Sequence, residues 1–200
     1  MRNHWYWRTG WSVGRRFYTW HLTFEGQEDV HRLAAEYRSA LAPLGDMVTL
    51  IPDRWLHLTM QGIGFVGETK EEDIRAIVDT AQAQLTAVPA FDLQIGPEAL
   101  DPEAVLLHVR PDGRVRDVRN GIREGIRYVL GEVPEEAEDF TPHVSVAYSA
   151  GDGPSEPIAR VLAESDLTPA RARISAAELI VIHRDRRMYE WESFARVPLG

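Results

Sequence analysis

Apolar residues alternate with polar ones, or recur at helical spacing, along most of the chain, and the pattern divides it into short elements. Residues 17–24 (FYTWHLTF) are bulky, aromatic or β-branched and predict a strand. Val30, Leu33, Ala34, Tyr37 and Leu41 share one face of a helix over 28–42, which Pro43 stops. Strands follow at 47–51 and 55–65, joined by the turn Pro52-Asp53-Arg54, where proline presets φ. Ile74, Ile77, Val78, Ala81 and Leu85 stripe a second helix over 70–87, and Glu71, Glu72 and Asp73 suit its positive N-terminal end. A similar order then recurs. Short strands at 91–95 and 105–109 precede a helix over 113–130, striped by Val115, Val118, Ile122, Ile126 and Val129. An acidic loop (131–139), a strand (143–149) and a short helix (156–164) come next, and strands at 174–183 and 188–197 pair about Arg184-Asp185-Arg186-Arg187. No Gly/Ser-rich linker intervenes, so the reading is one compact α+β domain over 17–200, with two similar lobes of a small sheet backed by helices.

Composition narrows this picture. At 200 residues and 44% hydrophobic, the chain has the length and apolar content for one well-cored domain. Cysteine is absent, which excludes a disulfide scaffold, a thiolate zinc site and a cysteine nucleophile. Apolar runs fall well short of the ~18 residues that span a bilayer, and residues 1–16 lack the apolar core of a secretory leader. No membrane contact and a cytoplasmic address are the expectations. The net charge of −9 disfavours a long nucleic-acid groove, which works by neutralising many phosphates; a pocket for one or two phosphates is compatible with it.

The charge is unevenly spread. Residues 1–20 carry Arg2, Arg8, Arg15 and Arg16 and no acid, so +4 sits there and −13 on the remaining 180. Residues 1–16 (MRNHWYWRTGWSVGRR) form a basic, aromatic N-terminal arm without periodicity. Two readings fit: an arm that packs its indoles onto the body, or a flap whose aromatics and arginines contact bases and phosphates.

The chemistry lies in a repeated tetrapeptide, His57-Leu58-Thr59-Met60 and His143-Val144-Ser145-Val146, each inside an apolar strand. Side chains alternate faces along a strand. His57 and Thr59 therefore share one face and His143 and Ser145 share another, with Leu58, Met60, Val144 and Val146 turned to the core. If the lobes face one another, the two imidazole–hydroxyl pairs confront across a groove. That suits displacement at phosphorus, which needs a base on the attacking oxygen and an acid on the leaving oxygen. Two imidazoles of pKa ~6.5 can divide those roles near neutral pH, and the hydroxyls can donate to the non-bridging oxygens. This chemistry needs no metal and no other cofactor.

The pair of His-x-(Thr/Ser)-apolar motifs resembles the signature of the two-histidine (2H) phosphoesterase superfamily, and the chain as a whole is similar to 2′-5′ RNA ligase family proteins over most of residues 17–197. The resemblance implies a bilobal, pseudo-twofold fold with two mainly antiparallel sheets lining a central groove and helices outside. It implies catalytic residues His57 and His143, with Thr59 and Ser145 binding substrate. The expected activity is a metal- and ATP-independent cyclic phosphodiesterase or 2′-5′ ligase acting on 2′,3′-cyclic or 2′-5′-linked phosphates. Some relatives carry an aromatic five positions past the second histidine. Tyr148 stands there, although strict alternation turns it to the opposite face from His143. The acidic balance departs from relatives that join RNA halves and favours a nucleotide or short RNA end over a tRNA-sized partner. A monomer is expected.

A third motif, His21-Leu22-Thr23, sets Thr19, His21 and Thr23 on one face of the first strand. It reads either as a polar strand face or as a groove wall contacting substrate. His4 and His31 are expected to be exposed, and His108 and His183 structural or solvated. The arginine-rich turn at 184–187 reads as a solvated hairpin tip or a source of cations at the groove edge. Two other functions remain open: a nucleotide or RNA-end binding module with little turnover, and a metallohydrolase using His21, His57 and His143.

Overall fold

A computed structural model describes residues 1–135 and 140–200. Of the acidic loop expected at 131–139, residues 136–139 lie outside the described residues. Among the described residues, nine strands form two antiparallel sheets. The first has the order β3-β1-β8-β9 and contains β1 (Phe17–Thr23), β3 (His57–Phe65), β8 (Ala176–His183) and β9 (Glu190–Pro198). The second has the order β2-β6-β5-β4-β7, with β2 (Val48–Leu50), β4 (Phe91–Leu100), β5 (Ala104–Arg110), β6 (His143–Ser149) and β7 (Ala170–Ile174).

The lobes interleave; they are not consecutive halves of the chain. β1 and β3 are completed by the C-terminal hairpin β8-β9. Helix α1 (Glu28–Leu41) follows β1 but packs against β7 and β6 of the other sheet, alongside α4 (Glu156–Ala163). Helix α3 (Asp112–Leu130) leaves the second sheet and pairs with α2 (Glu71–Leu85) behind the first, touching β3. The expected stripes are buried except at two positions: Val30, Leu33, Ala34, Tyr37 and Leu41 on α1, Ile74, Ile77, Ala81 and Leu85 on α2, and Val115, Val118, Ile122 and Ile126 on α3 are buried, while Val78 and Val129 are half-buried. Where α3 crosses α2, Gly125 leaves no room for a side chain. A Cβ there would stand 2.9 Å from the Ala81 nitrogen and 3.1 Å from its Cα, and backbone cannot rotate away. Gly125→Ala is therefore expected to destabilise by about 1–3 kcal/mol, outweighing the ~1 kcal/mol of helix propensity it gains. A urea titration that shows the variant as stable as the parent would overturn this.

Three differences from the sequence reading have local causes. The turn at Pro52-Asp53-Arg54 forms, but it runs through Trp55 as a 3₁₀ turn, so β3 begins at His57 and not at Trp55; the turn carries the chain from β2 in one sheet to β3 in the other. β4 does not stop at Ile95. Gly96, at φ +113°, and Pro97 form a bulge between the Ile95–Val109 and Glu98–Leu107 pairs, and the strand continues to Leu100. β7 pairs with β4 as a separate strand, burying Ala170, Ala172 and Ile174 and exposing Arg171 and Arg173. Alanines carry little hydrophobic signal, which hides that alternation from a sequence reading.

Candidate active site

β3 and β6 are built alike where it matters. Each opens on its motif histidine, and each histidine is held by the carbonyl two residues earlier. His57 Nδ1 donates to the Trp55 oxygen at 2.8 Å, and His143 Nδ1 donates to the Thr141 oxygen at 2.8 Å. A carbonyl can only accept, so the proton lies on Nδ1 and Nε2 is the atom each neutral ring offers. The alternate residues Leu58, Met60, Val144 and Val146 are buried in the core. His57, Thr59, His143 and Ser145 all line one cavity of about 480 Å³, a size usual for small-molecule pockets.

β1 supplies a second wall. Phe17, Thr19 and His21 alternate onto the cavity face, while Trp20 and Leu22 are wholly buried beneath. His21 pairs with Thr59 across the ladder, and its ring stacks on that of His57, 4.3 Å apart and 4° from parallel. The edge of Trp191 closes on His57 at 5.3 Å. Packed this way, His57 is held at about pKa 4. Burial is the main cause, the nearby His143 acts in the same sense, and the bond to Trp55 opposes both. His57 is thus neutral at pH 7. Burial holds His21 well below the ordinary imidazole range too, with His57 adding to the effect. A ring nitrogen's lone pair lies in the ring plane, so two parallel, stacked rings do not aim at a single ion. The ligand set His21, His57 and His143 is not assembled.

Tyr148 also lines the cavity, against strict alternation. The reason is a bulge in β6: Ser145 pairs with Leu106 and Ala147 with Val105, which leaves Val146 as an extra residue. That one-residue slip returns Tyr148 to the face of Ser145, and the two hydroxyls lie side by side. All six residues singled out in the sequence, His21, His57, Thr59, His143, Ser145 and Tyr148, therefore meet in one cleft.

The arm contributes what sequence reasoning missed. His4 is buried, not exposed. Its ring stacks on Tyr148 at 4.1 Å, Nε2 is 3.2 Å from the Tyr189 hydroxyl, and Nδ1 lies 3.3 Å from Oε2 of Glu103. Burial, with Arg8 and Arg184 nearby, lowers its pKa to about 3. His31 is half-buried on α1, also contrary to expectation. Arg184 is neither a solvated tip nor a cation at the groove edge: it is buried, donates to the His4 carbonyl at 2.8 Å, and packs on the rings of Trp5 and Tyr189. Arg186 is held by Glu190 in a bidentate pair. Glu103, Glu135, Arg8 and Trp11 complete much of the cavity wall. Of these, only the basic, aromatic composition around Arg8 and Trp11 gave a sequence signal.

The family model for the 2′-5′ RNA ligase superfamily matches residues 25–186. The chain belongs to this superfamily. Its fold is that of 2H phosphoesterases, shown by solved structures of low identity. TT0787 of Thermus thermophilus is 19% identical with a TM-score of 0.68, covering 92% of this chain and 97% of that one. E. coli LigT complexed with 3′-AMP is 15% identical with a TM-score of 0.69, covering 93% and 99% respectively. The MHV ns2 PDE domain is 13% identical with a TM-score of 0.60, covering 83% and 98%. No curated protein sequence matches. The 2′-5′ RNA ligase superfamily match begins at residue 25, so the arm and β1 lie outside it. No helix among the described residues is long and apolar enough to cross a membrane.

Proposed function

We propose that this member of the 2′-5′ RNA ligase superfamily is a metal-independent phosphoesterase. Its substrates are 2′,3′-cyclic phosphates or 2′-5′ phosphodiester bonds of nucleotides or short RNA ends, and His57 and His143 are its general base and acid. The observation that carries the reading is the matched mounting of the two rings, each with Nδ1 tied to the carbonyl two residues back and Nε2 left for the shared cleft. The likeness to a LigT solved with 3′-AMP adds support for a nucleotide ligand.

In hydrolysis of a cyclic phosphate, water attacks phosphorus and its proton passes to Nε2 of His57. The bond from phosphorus to one ribose oxygen breaks. That oxygen takes a proton from His143, and a phosphomonoester remains. A neutral, desolvated His57 suits the base role. Thr59 and Ser145 donate to the non-bridging oxygens, and His21 and Tyr148 flank the substrate. Ligation follows the same course with a 5′-hydroxyl in place of water: its proton passes to His57, the bond from phosphorus to the 3′-oxygen breaks, that oxygen takes a proton from His143, and a 2′-5′ diester remains. The chain acts as a monomer in the cytoplasm.

The test is incubation with adenosine 2′,3′-cyclic phosphate, with and without EDTA, and chromatographic measurement of the monoester. Turnover insensitive to EDTA is expected. Tight binding without product would make the chain a binding module instead. The held-down pKa of His57 adds a pH signature. At pH 5.5 an unperturbed imidazole is only about one-tenth neutral, yet kcat/KM is expected to keep more than half its pH 7 value. A fall to about one-tenth would remove His57 from the base role.

A further inference from the structure

Residues 1–16 do not trail along the surface; they cross from one lobe to the other. At the second sheet, the His4 amide donates to the Ser149 carbonyl at the end of β6, the Arg2 amide donates to the Pro102 carbonyl, and Trp5 Nε1 donates to the Thr49 hydroxyl. At the first sheet, Trp11 packs on Phe17 and Phe65 at the end of β3, and Asp185 accepts from the Gly14 amide and from Arg16. β3 and β6 both begin at the histidines and end under this strap. Tyr148, which His4 covers, pairs with Ala104 four residues along β5 from the His143–His108 pair, about 13 Å at ~3.3 Å per residue. Between the anchors, Arg8 and Trp11 form part of the cavity wall, and Arg8 is tied to Glu103 at 2.8 Å. The other end differs. Past His143 the surface opens into a broad depression lined by His108, Arg110 and Arg116, the last paired with Asp112, which also lines it, and His108 pairs directly with His143 across the ladder.

From this asymmetry we infer that the arm is a specificity element: it dead-ends the cleft, so the phosphate between the histidines must belong to a chain end or a single nucleotide. A strand continuing in both directions meets the strap on one side. On the other it can leave over the cation-bearing depression. This rests on the proposed nucleotide chemistry, but it turns on residues 1–16, which lie outside the family match.

The experiment uses the full chain and a 2′-5′-linked octaadenylate in linear and circular form. The circle has the same bonds and no ends. The linear form is expected to bind at least ten-fold more tightly by calorimetry and to lose units only from its ends, as mapped by chromatography. Gly10→Val loosens the strap at a residue that is not itself part of the cavity wall. Gly10 sits at φ +82°, and a Cβ there meets Phe65 Cε2 at 2.6 Å. Asp185→Ala removes the anchor of Gly14 and Arg16, and serves if the first variant does not fold. Each is expected to narrow the linear-to-circular ratio at least three-fold and to permit internal cuts. Equal affinity for the two forms, internal cutting by the parent, or folded variants with an unchanged ratio would overturn the inference, as would failure to bind either form. Binding of the linear form without cleavage would sink the proposed activity and leave this inference standing.

Discussion

His57→Ala and His143→Ala are each expected to lower kcat for a 2′,3′-cyclic nucleotide by about 10²–10⁴, the usual contribution of a positioned acid or base. The two losses are not additive, because one displacement needs both proton transfers. The double variant should fall little below the worse single one. The geometry makes the test clean for His143, whose half-buried ring is tied to the Thr141 carbonyl. His57 is also packed between His21 and Trp191, so its removal leaves a cavity; circular dichroism and a urea midpoint must accompany its kinetics. Glutamine is the informative second substitution at either site, since it keeps a donor but cannot cycle a proton. Either alanine variant retaining more than a tenth of parental kcat would end the two-histidine mechanism here.

Stability between pH 7 and pH 5 is expected to fall steeply, for a reason the same site supplies. His4, His21 and His57 are buried and held neutral, with pKa values of about 3 for His4, well below normal for His21 and about 4 for His57. In the unfolded chain each titrates near 6.5. Above that pH both states are neutral and the histidines add no pH dependence. As the pH falls below about 6.5 the unfolded chain takes up protons that the folded protein refuses. Stability is lost by about 1.4 kcal/mol per pH unit for each, and the loss runs on toward pH about 4 for His57 and about 3 for His4. His4 and His57 amount to about 4 kcal/mol by pH 5, a large part of the whole stability of a domain of this size, and His21 acts in the same direction. Urea midpoints at pH 7, 6 and 5 read this out above the carboxylate range. His21→Phe keeps a stacked ring without the titration and should make the slope shallower. A midpoint unchanged over this range would mean that water reaches these rings when they take up a proton.

What the sequence by itself determined are features that depend only on near neighbours along the chain. Alternation placed His57 beside Thr59 and His143 beside Ser145 with their apolar partners inward, because period-two geometry holds within any strand. Helical periodicity marked the buried stripes of α1, α2 and α3 for the same reason. What only the tertiary structure decided depends on which distant segments pair. Tyr148 faces the cleft because a bulge against Val105 and Leu106 shifts β6 by one residue, and no pattern in β6 announces it. β2 and β3 part into different sheets because their partners, β6 and β1, lie on different lobes. His4 and Arg184, 180 positions apart, are buried because each covers the other's polar groups, the guanidinium meeting the carbonyl. Local pattern fixes which way a side chain points from its own strand, and only long-range pairing fixes what it then meets.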